Sequence, residues 1–148
     1  MPSNPLIAQG TLNRLIGSVV IPSFQALNVS ASYLGKRGIS FELGDMATQV
    51  IDTMVGIVTS PEPYMPATLT IPLLKTQPLA SNWINQVALN SVLGTVTVYP
   101  DTRAYPAFDC LNCSVTRIGS MSFAGEDPTV VFTLQGYYPI NGALWNLT

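Results

Sequence analysis

The hydrophobic period changes once within residues 67–87, ATLTIPLLKTQPLASNWINQV, and this change limits what the chain can fold into. At first, apolar and polar residues alternate, which is the period of a strand with one buried face. Beyond the Lys-Thr-Gln-Pro corner, Leu79, Trp83 and Val87 recur every four residues, with amides and serine on the other side, as in an amphipathic helix. The sequence therefore predicts a strand that runs into one helix at 79–90, with Trp83 as the residue that anchors the helix to the core.

Strand-like alternation extends over much of the rest of the chain. It predicts strands at 12–21 and 24–34, and the glycine-flanked turn at 35–38 is expected to join the second of these to a strand that starts at Ile39, as a hairpin. Residues 46–58 fit a strand or a helix by period alone, and their β-branched content favours one long strand. Three more strands are expected, at 94–99, 108–118 and 129–137.

Proline-rich segments separate these elements. The first 11 residues have two prolines and no period, so they are expected to form an extended arm, and the three prolines within 60–66 predict a loop. With 148 residues, of which 47% are hydrophobic, the chain is long enough to bury one core without a metal or a disulfide. We therefore expect a single, mainly β domain over 1–148: an antiparallel β-sandwich or barrel with one short α-helix.

Charge is scarce in this sequence. Only 9% of the residues are charged, against about 25% in an average globular protein. This shortage suggests that other subunits cover much of the exterior, and the alternative is a monomer kept soluble by hydroxyls and amides. The net charge is −2 and the six basic residues are mostly scattered, so tight binding of nucleic acid is not expected. The pattern predicts neither a membrane span nor a secretory signal, and synthesis in a cytoplasm is expected.

The residues needed for catalysis or metal binding are largely missing. There is no histidine, which removes the commonest general base and the usual nitrogen ligand of zinc, and there is no glycine-rich phosphate loop. An enzyme and a cofactor are therefore not predicted. Cys110 and Cys113 resemble half of a metal site, but no second pair completes four ligands. On a regular strand, three residues apart, they would lie on opposite faces, so we expect two small apolar side chains, or one cysteine that pairs with a neighbouring subunit.

Three motifs together resemble the tail tube proteins of long-tailed bacteriophages. They are Y-x-G-K-R-G-I-S-F-E-L-G-D at 33–45, T-L-T-I-P-L-L-K-T-Q-P-x-x-x-x-W-I-N at 68–85, and F-x-L-x-G-Y-Y-P-I-N-G at 132–142. The resemblance extends from about residue 29 to residue 141, and 69–85 carries most of it. The inner tube proteins of secretion systems are similar as well.

The resemblance implies a structural virion protein whose protomers form hexameric rings. Stacked rings would make a hollow tail tube, assembled in the host cytoplasm, through which genome DNA is ejected without tight binding. Tail sheath, tape-measure, baseplate and terminator proteins would be its partners. No membrane contact is implied.

The same resemblance suggests roles for four charged residues. Glu42 and Asp52 are two of the three charges within 39–58, a region that the resemblance places partly on the lumen wall, where a weakly acidic surface would repel phosphate. Lys36 and Arg37 are candidates for intersubunit contacts at a turn. In the alternative, Glu42 or Asp52 forms a salt bridge with Lys36 or Arg37 of an adjoining protomer.

Two other classes of function compete with a tube subunit. One is another β-sandwich component of a tail or secretion system, such as a terminator or a decoration protein, which stops at a ring or a monomer. The other is a small binding module, for carbohydrate for instance, in which four tyrosines would stack on the ligand: Tyr64, Tyr99, Tyr105 and Tyr137.

Overall fold

The structure, a computed structural model, describes residues 17–35, 37–101, 105–123 and 125–145. The predicted N-terminal arm at 1–11 lies outside these residues. The described part is mainly β, as the alternation predicts, and has few helices. In chain order its elements are β1 (Gly17–Val20), β2 (Ser40–Leu43), β3 (Thr48–Asp52), β4 (Ile57–Pro61), β5 (Tyr64–Leu74), α1 (Pro78–Leu89), β6 (Val92–Pro100), β7 (Phe108–Ile118), β8 (Thr129–Pro139) and α2 (Gly142–Trp145).

Six strands form one antiparallel sheet in the order β1-β6-β7-β8-β5-β2. The sheet curls strongly. This is seen from Phe41 on the edge strand β2, which stacks on Phe108 of β7, three strands away, with ring centroids 5.3 Å apart. Gly17 of β1 also lies beside Ile39, which precedes β2, so the two edges of the sheet approach each other. This curled sheet encloses the core.

Side-chain alternation fills the inside of the curled sheet. The inward residues of β5 are Leu69, Ile71 and Leu73, and Phe132 and Leu134 of β8 meet them; all five are fully buried. Helix α1 covers one end of this core. It begins at Pro78, where a proline costs no hydrogen bond because the first turn of a helix has no intrahelical acceptor for its N–H groups. The predicted strand–corner–helix at 67–87 is thus found as β5 and α1.

The predicted strand at 24–34 is wrong. Two 3-10 turns, Gln25–Leu27 and Ala31–Tyr33, occupy this segment instead. The Asn28 side chain accepts a hydrogen bond from the Ile21 N–H at 2.9 Å and holds the chain in this turn, and Val29 exchanges two backbone hydrogen bonds with Val19. The hairpin predicted around 35–38 is therefore absent: β2 pairs with β5, which is far away in sequence.

The segment 46–61 differs from the prediction in two ways. The expected single strand is a hairpin, in which β3 and β4 form a two-stranded sheet of their own. Its turn is fixed by Thr53, which exchanges hydrogen bonds with Gly56 through both its backbone and its hydroxyl. The predicted loop at 60–66 is mostly strand as well, since β4 ends at Pro61 and β5 begins at Tyr64.

Prolines are tolerated inside β5 because of where their missing N–H groups would point. In an antiparallel strand the N–H and C=O of one residue face the same neighbouring strand. The carbonyls of Pro66 and Pro72 accept from Gly44 and Gly35, which lie on either side of the short β2. The missing donors of both prolines therefore face positions outside the β2 ladder, and no sheet hydrogen bond is lost.

Candidate functional site

The β3–β4 hairpin, residues 46–61, exposes an unusual amount of apolar surface. Met54 and Val55 at its tip are 101% and 97% exposed, so they contact nothing else in the described chain. Five more large apolar side chains of the hairpin are about half exposed: Met46, Val50, Ile51, Ile57 and Val58. Seven exposed large apolar side chains on one hairpin indicate an interaction site.

Both faces of the hairpin carry exposed apolar side chains. Cross-strand partners point to the same side, so the pair Ile51 and Val58 lies on one face, and Val50 lies on the other face together with Ile57. A hairpin with one core and one solvent face would be polar on one of these sides. This hairpin therefore fits a position in which it is covered on two sides at once.

Backbone hydrogen bonds fix the root of the hairpin. The N–H of Glu62 donates to the carbonyl of Ala47 at 2.9 Å, and the N–H of Ile140 donates to the carbonyl of Pro63 at 3.1 Å. Asn141 adds side-chain hydrogen bonds to the same root. Sequence reasoning did not single out the tip or Asn141. The signal it could have used is the presence of apolar residues at both odd and even positions of 46–58.

Glu42 lies on a second surface, which we call the polar face: the part of the outward side of β2, β5 and β8 between the pairs Pro66–Tyr137 and Pro72–Val131. Two cross-strand rows form it, Ser40–Thr70–Thr133 and Glu42–Thr68–Gln135, and all six residues are exposed or half-buried. The polar face carries four hydroxyls and one amide with this one carboxylate.

Of the other predicted site residues, the structure places Arg37 at the edge of this face, in a groove that Ser40 and Thr70 also line, and Asp52 on a different surface. Asp52 is exposed at the end of β3, on the separate hairpin sheet. Arg37 is exposed and lines a surface groove beside Ser40 and Thr129, and Lys36 lies outside the described residues. Glu42 and Asp52 thus belong to different surfaces, and their lumen or salt-bridge roles stay predictions.

Trp83 is fully buried under α1. Its ring lies 5.5 Å from that of Phe132, and its indole N–H donates to the carbonyl of Leu27 at 3.1 Å. One side chain thus links the helix to β8 and to the first 3-10 turn.

The two cysteines lie on the same face of β7, contrary to the prediction. Asn112 between them has φ 49°, and the register of β7 shifts by one residue against β8, which is a β-bulge. Because the bulge adds one residue, two side chains three positions apart point to the same, inward face, and both thiols are fully buried. Gly136 on β8 makes room for them, because a Cβ there would lie 2.6 Å from the Cys110 sulfur.

The two thiols interact with each other. A hydrogen bond from Cys113 lowers the pKa of the Cys110 thiol, against the opposing effect of burial. The same hydrogen bond, together with burial, raises the pKa of the Cys113 thiol. Full burial keeps both sulfurs away from the surface, so neither is placed to pair with a neighbouring subunit.

Metal ligand clusters and membrane-spanning helices are not found among the described residues. No group of three or more His, Cys, Asp or Glu side chains there could hold a metal ion. None of the described helices has the length and apolar character needed to cross a membrane. Of the four candidate stacking tyrosines, Tyr64 and Tyr137 meet, with ring centroids 5.8 Å apart at the hairpin root.

Comparison with known proteins gives a likeness of fold. No protein-family model matches the chain, and no curated protein matches it by sequence. Among solved structures, the chain is similar to the sheath/tube terminator, in the extended state, of an extracellular contractile injection system named PVC. The TM-score is 0.51 and the identity 18%, over 88% of this chain and 94% of that one. It is also similar to the tube terminating cap of the anti-feeding prophage, with a TM-score of 0.50 and 16% identity over 92% of each chain. The fold of this chain is thus similar, over about nine-tenths of its length, to the folds of two proteins described as ending a tube.

Proposed function

We propose that this chain is a structural subunit of a phage-tail-like tube and acts as a terminator, forming a closed ring at the end of the tube. The observation that carries the proposal is the likeness of fold to a sheath/tube terminator and to a tube terminating cap, over nine-tenths of the chain. The last tube ring and a sheath are the partners that fit this role.

The surface of the subunit supports assembly from copies of the same chain. The β3–β4 hairpin carries apolar side chains on both faces and at its tip, and in a ring it would be covered by neighbouring copies. With 9% charged residues, the exterior offers little charge repulsion to such packing. A closed ring also buries strand edges, which otherwise invite uncontrolled pairing.

The second candidate is a tube subunit proper, which stacks into hexameric rings and conducts DNA during ejection. The polar face favours it, because a wall of hydroxyls and amides with one carboxylate per subunit would let phosphate slide past without holding it. The resemblance of 29–141 to tail tube proteins points to the same role.

The state of assembly tests both candidates. We expect the purified chain to form closed rings of fixed stoichiometry, six in the hexameric case, visible by negative-stain microscopy and sized by sedimentation. Open-ended tubes of many rings would favour the tube subunit over the terminator. A monomer of 15.9 kDa that persists at high concentration would refute both.

A further inference from the structure

Among the described residues, hydrogen bonds at its narrow root join the hairpin to the rest of the molecule. β3 and β4 pair with each other and not with the six-stranded sheet. At about 3.3 Å per residue, the tip at Met54 lies about 20 Å from Thr48. A rotation of about 10° at the root would therefore move the tip by about 3 Å, enough to misplace it in any close-packed seat.

Asn141 bonds to both strands at that root. Its side-chain Nδ2 donates to the carbonyl of Glu62 at 2.7 Å, beyond the end of β4, and to the carbonyl of Ala47 at 3.2 Å, ahead of β3. These two residues are 79 and 94 positions away in sequence. One amide thus links both strands of the hairpin to the end of β8.

Asparagine is well suited to this position for two physical reasons. The backbone there has φ 53°, a left-handed conformation that asparagine adopts more readily than most other side chains. Its amide group also has two N–H donors, and both acceptors are carbonyl oxygens, so the nitrogen must face them. Aspartate has almost the same shape, but its ionised carboxylate can only accept hydrogen bonds.

We infer that Asn141 is a positioning residue that fixes the angle at which the β3–β4 hairpin leaves the sheet, and that assembly of the ring depends on it. The inference rests on the proposed function, because the angle matters only if the hairpin docks on a second copy. The fold of the subunit itself does not need the link, since the core lies in the curled sheet under α1.

Two substitutions remove the amide donors and leave the left-handed backbone conformation in place. Asn141→Gly keeps the left-handed backbone and removes the amide, whereas Asn141→Asp keeps the shape and replaces the donors by a charge that repels both carbonyls. Asn82→Asp, on the exposed side of α1, is the matched control for the added charge. We expect both Asn141 variants to keep the melting temperature of the wild type within a few degrees.

Hydrogen exchange and assembly are the two readouts. In both Asn141 variants the backbone amides of 47–62 should exchange at least tenfold faster, with exchange in the six-stranded sheet unchanged. They should also need at least tenfold more protein for half-maximal ring formation, and Asn82→Asp should match the wild type in both respects.

The outcomes distinguish the inference from the function on which it rests. Unchanged exchange in 47–62 overturns the link between Asn141 and the hairpin, and this arm works on the subunit alone. Faster exchange with normal ring formation overturns the positioning role only. A wild-type chain that never assembles overturns the proposed function, and the positioning role with it.

Discussion

Replacing the two tip residues of the hairpin by serine, Met54→Ser with Val55→Ser, should abolish assembly without affecting the fold. Both side chains are essentially fully exposed in the subunit, so removing them costs no contact within the described chain. Surface changes of this kind alter the free energy of unfolding by about 0.5 kcal/mol or less. Serine is also favoured in turns, so the hairpin should persist.

The expected loss in assembly follows from the apolar area that docking would bury. Full burial of a Met or Val side chain stabilises by about 1.5–3 kcal/mol. Two such side chains give about 3–6 kcal/mol per docked hairpin, a factor of about 10² to 10⁴ in the association constant. Because the side chains gain nothing inside the subunit, the whole effect should appear between subunits.

Sedimentation velocity over a range of concentrations, with the melting temperature of the subunit as a parallel measurement, is the assay. Leu89→Ser is the matched control. Leu89 is the last residue of α1 and is 85% exposed. The hairpin precedes the start of β5 and α1 follows its end, so Leu89 lies away from the hairpin. Ring formation by the double variant at wild-type concentrations would refute the docking of the tip. An equal loss of assembly with Leu89→Ser would show that exposed apolar surface promotes association without a specific docking site.

Two further predictions concern residues identified from the sequence. Trp83→Ala should lower the free energy of unfolding by about 3–5 kcal/mol and the melting temperature by roughly 10 °C. Trp83→Phe loses the hydrogen bond to Leu27 but keeps most of the bulk, so its loss of stability should be smaller. Equal melting temperatures for the wild type and both variants would contradict the anchoring role. Glu42→Lys or Asp52→Lys should leave assembly intact and slow DNA ejection if the residue lines a lumen, and should abolish assembly if it bridges subunits; normal assembly with normal ejection would exclude both roles for that residue.

The sequence predicts those elements best whose hydrophobic period is long and uninterrupted. β5, α1, β7 and β8 are found where alternation or a four-residue repeat places them. The prediction of a strand at 24–34 failed because burial alternates there without a strand. Leu27 is buried in a 3-10 turn and Val29 in an isolated bridge, so the two side chains follow the period of a strand. Period reports which side chains are buried and does not report which strand is the partner, so the pairing of β2 with β5 could not be read from it.

The candidate site was harder to predict because it depends on exceptions to local rules. The rule that an odd spacing separates two side chains failed at Cys110 and Cys113, because the bulge at Asn112 adds one residue. The hairpin was hidden because its strands have no single buried face, so their pattern resembled one long neutral strand. Both exceptions arise from tertiary pairing, which local propensity does not contain.

The exposed hairpin also makes the unassembled subunit a hazard in the cell that makes it. Residues 46–58 are rich in β-branched side chains, contain no proline and carry a single charge, the composition of segments that stack into aggregates. Asp45 flanks this run and Asp52 interrupts it, and both act as gatekeepers, since stacking identical strands would bring their charges together. Asp52 thus protects the free chain whatever it does in a ring. Under the proposed function, the pool of free subunits would have to stay small, and capture by a growing particle would have to be faster than self-stacking.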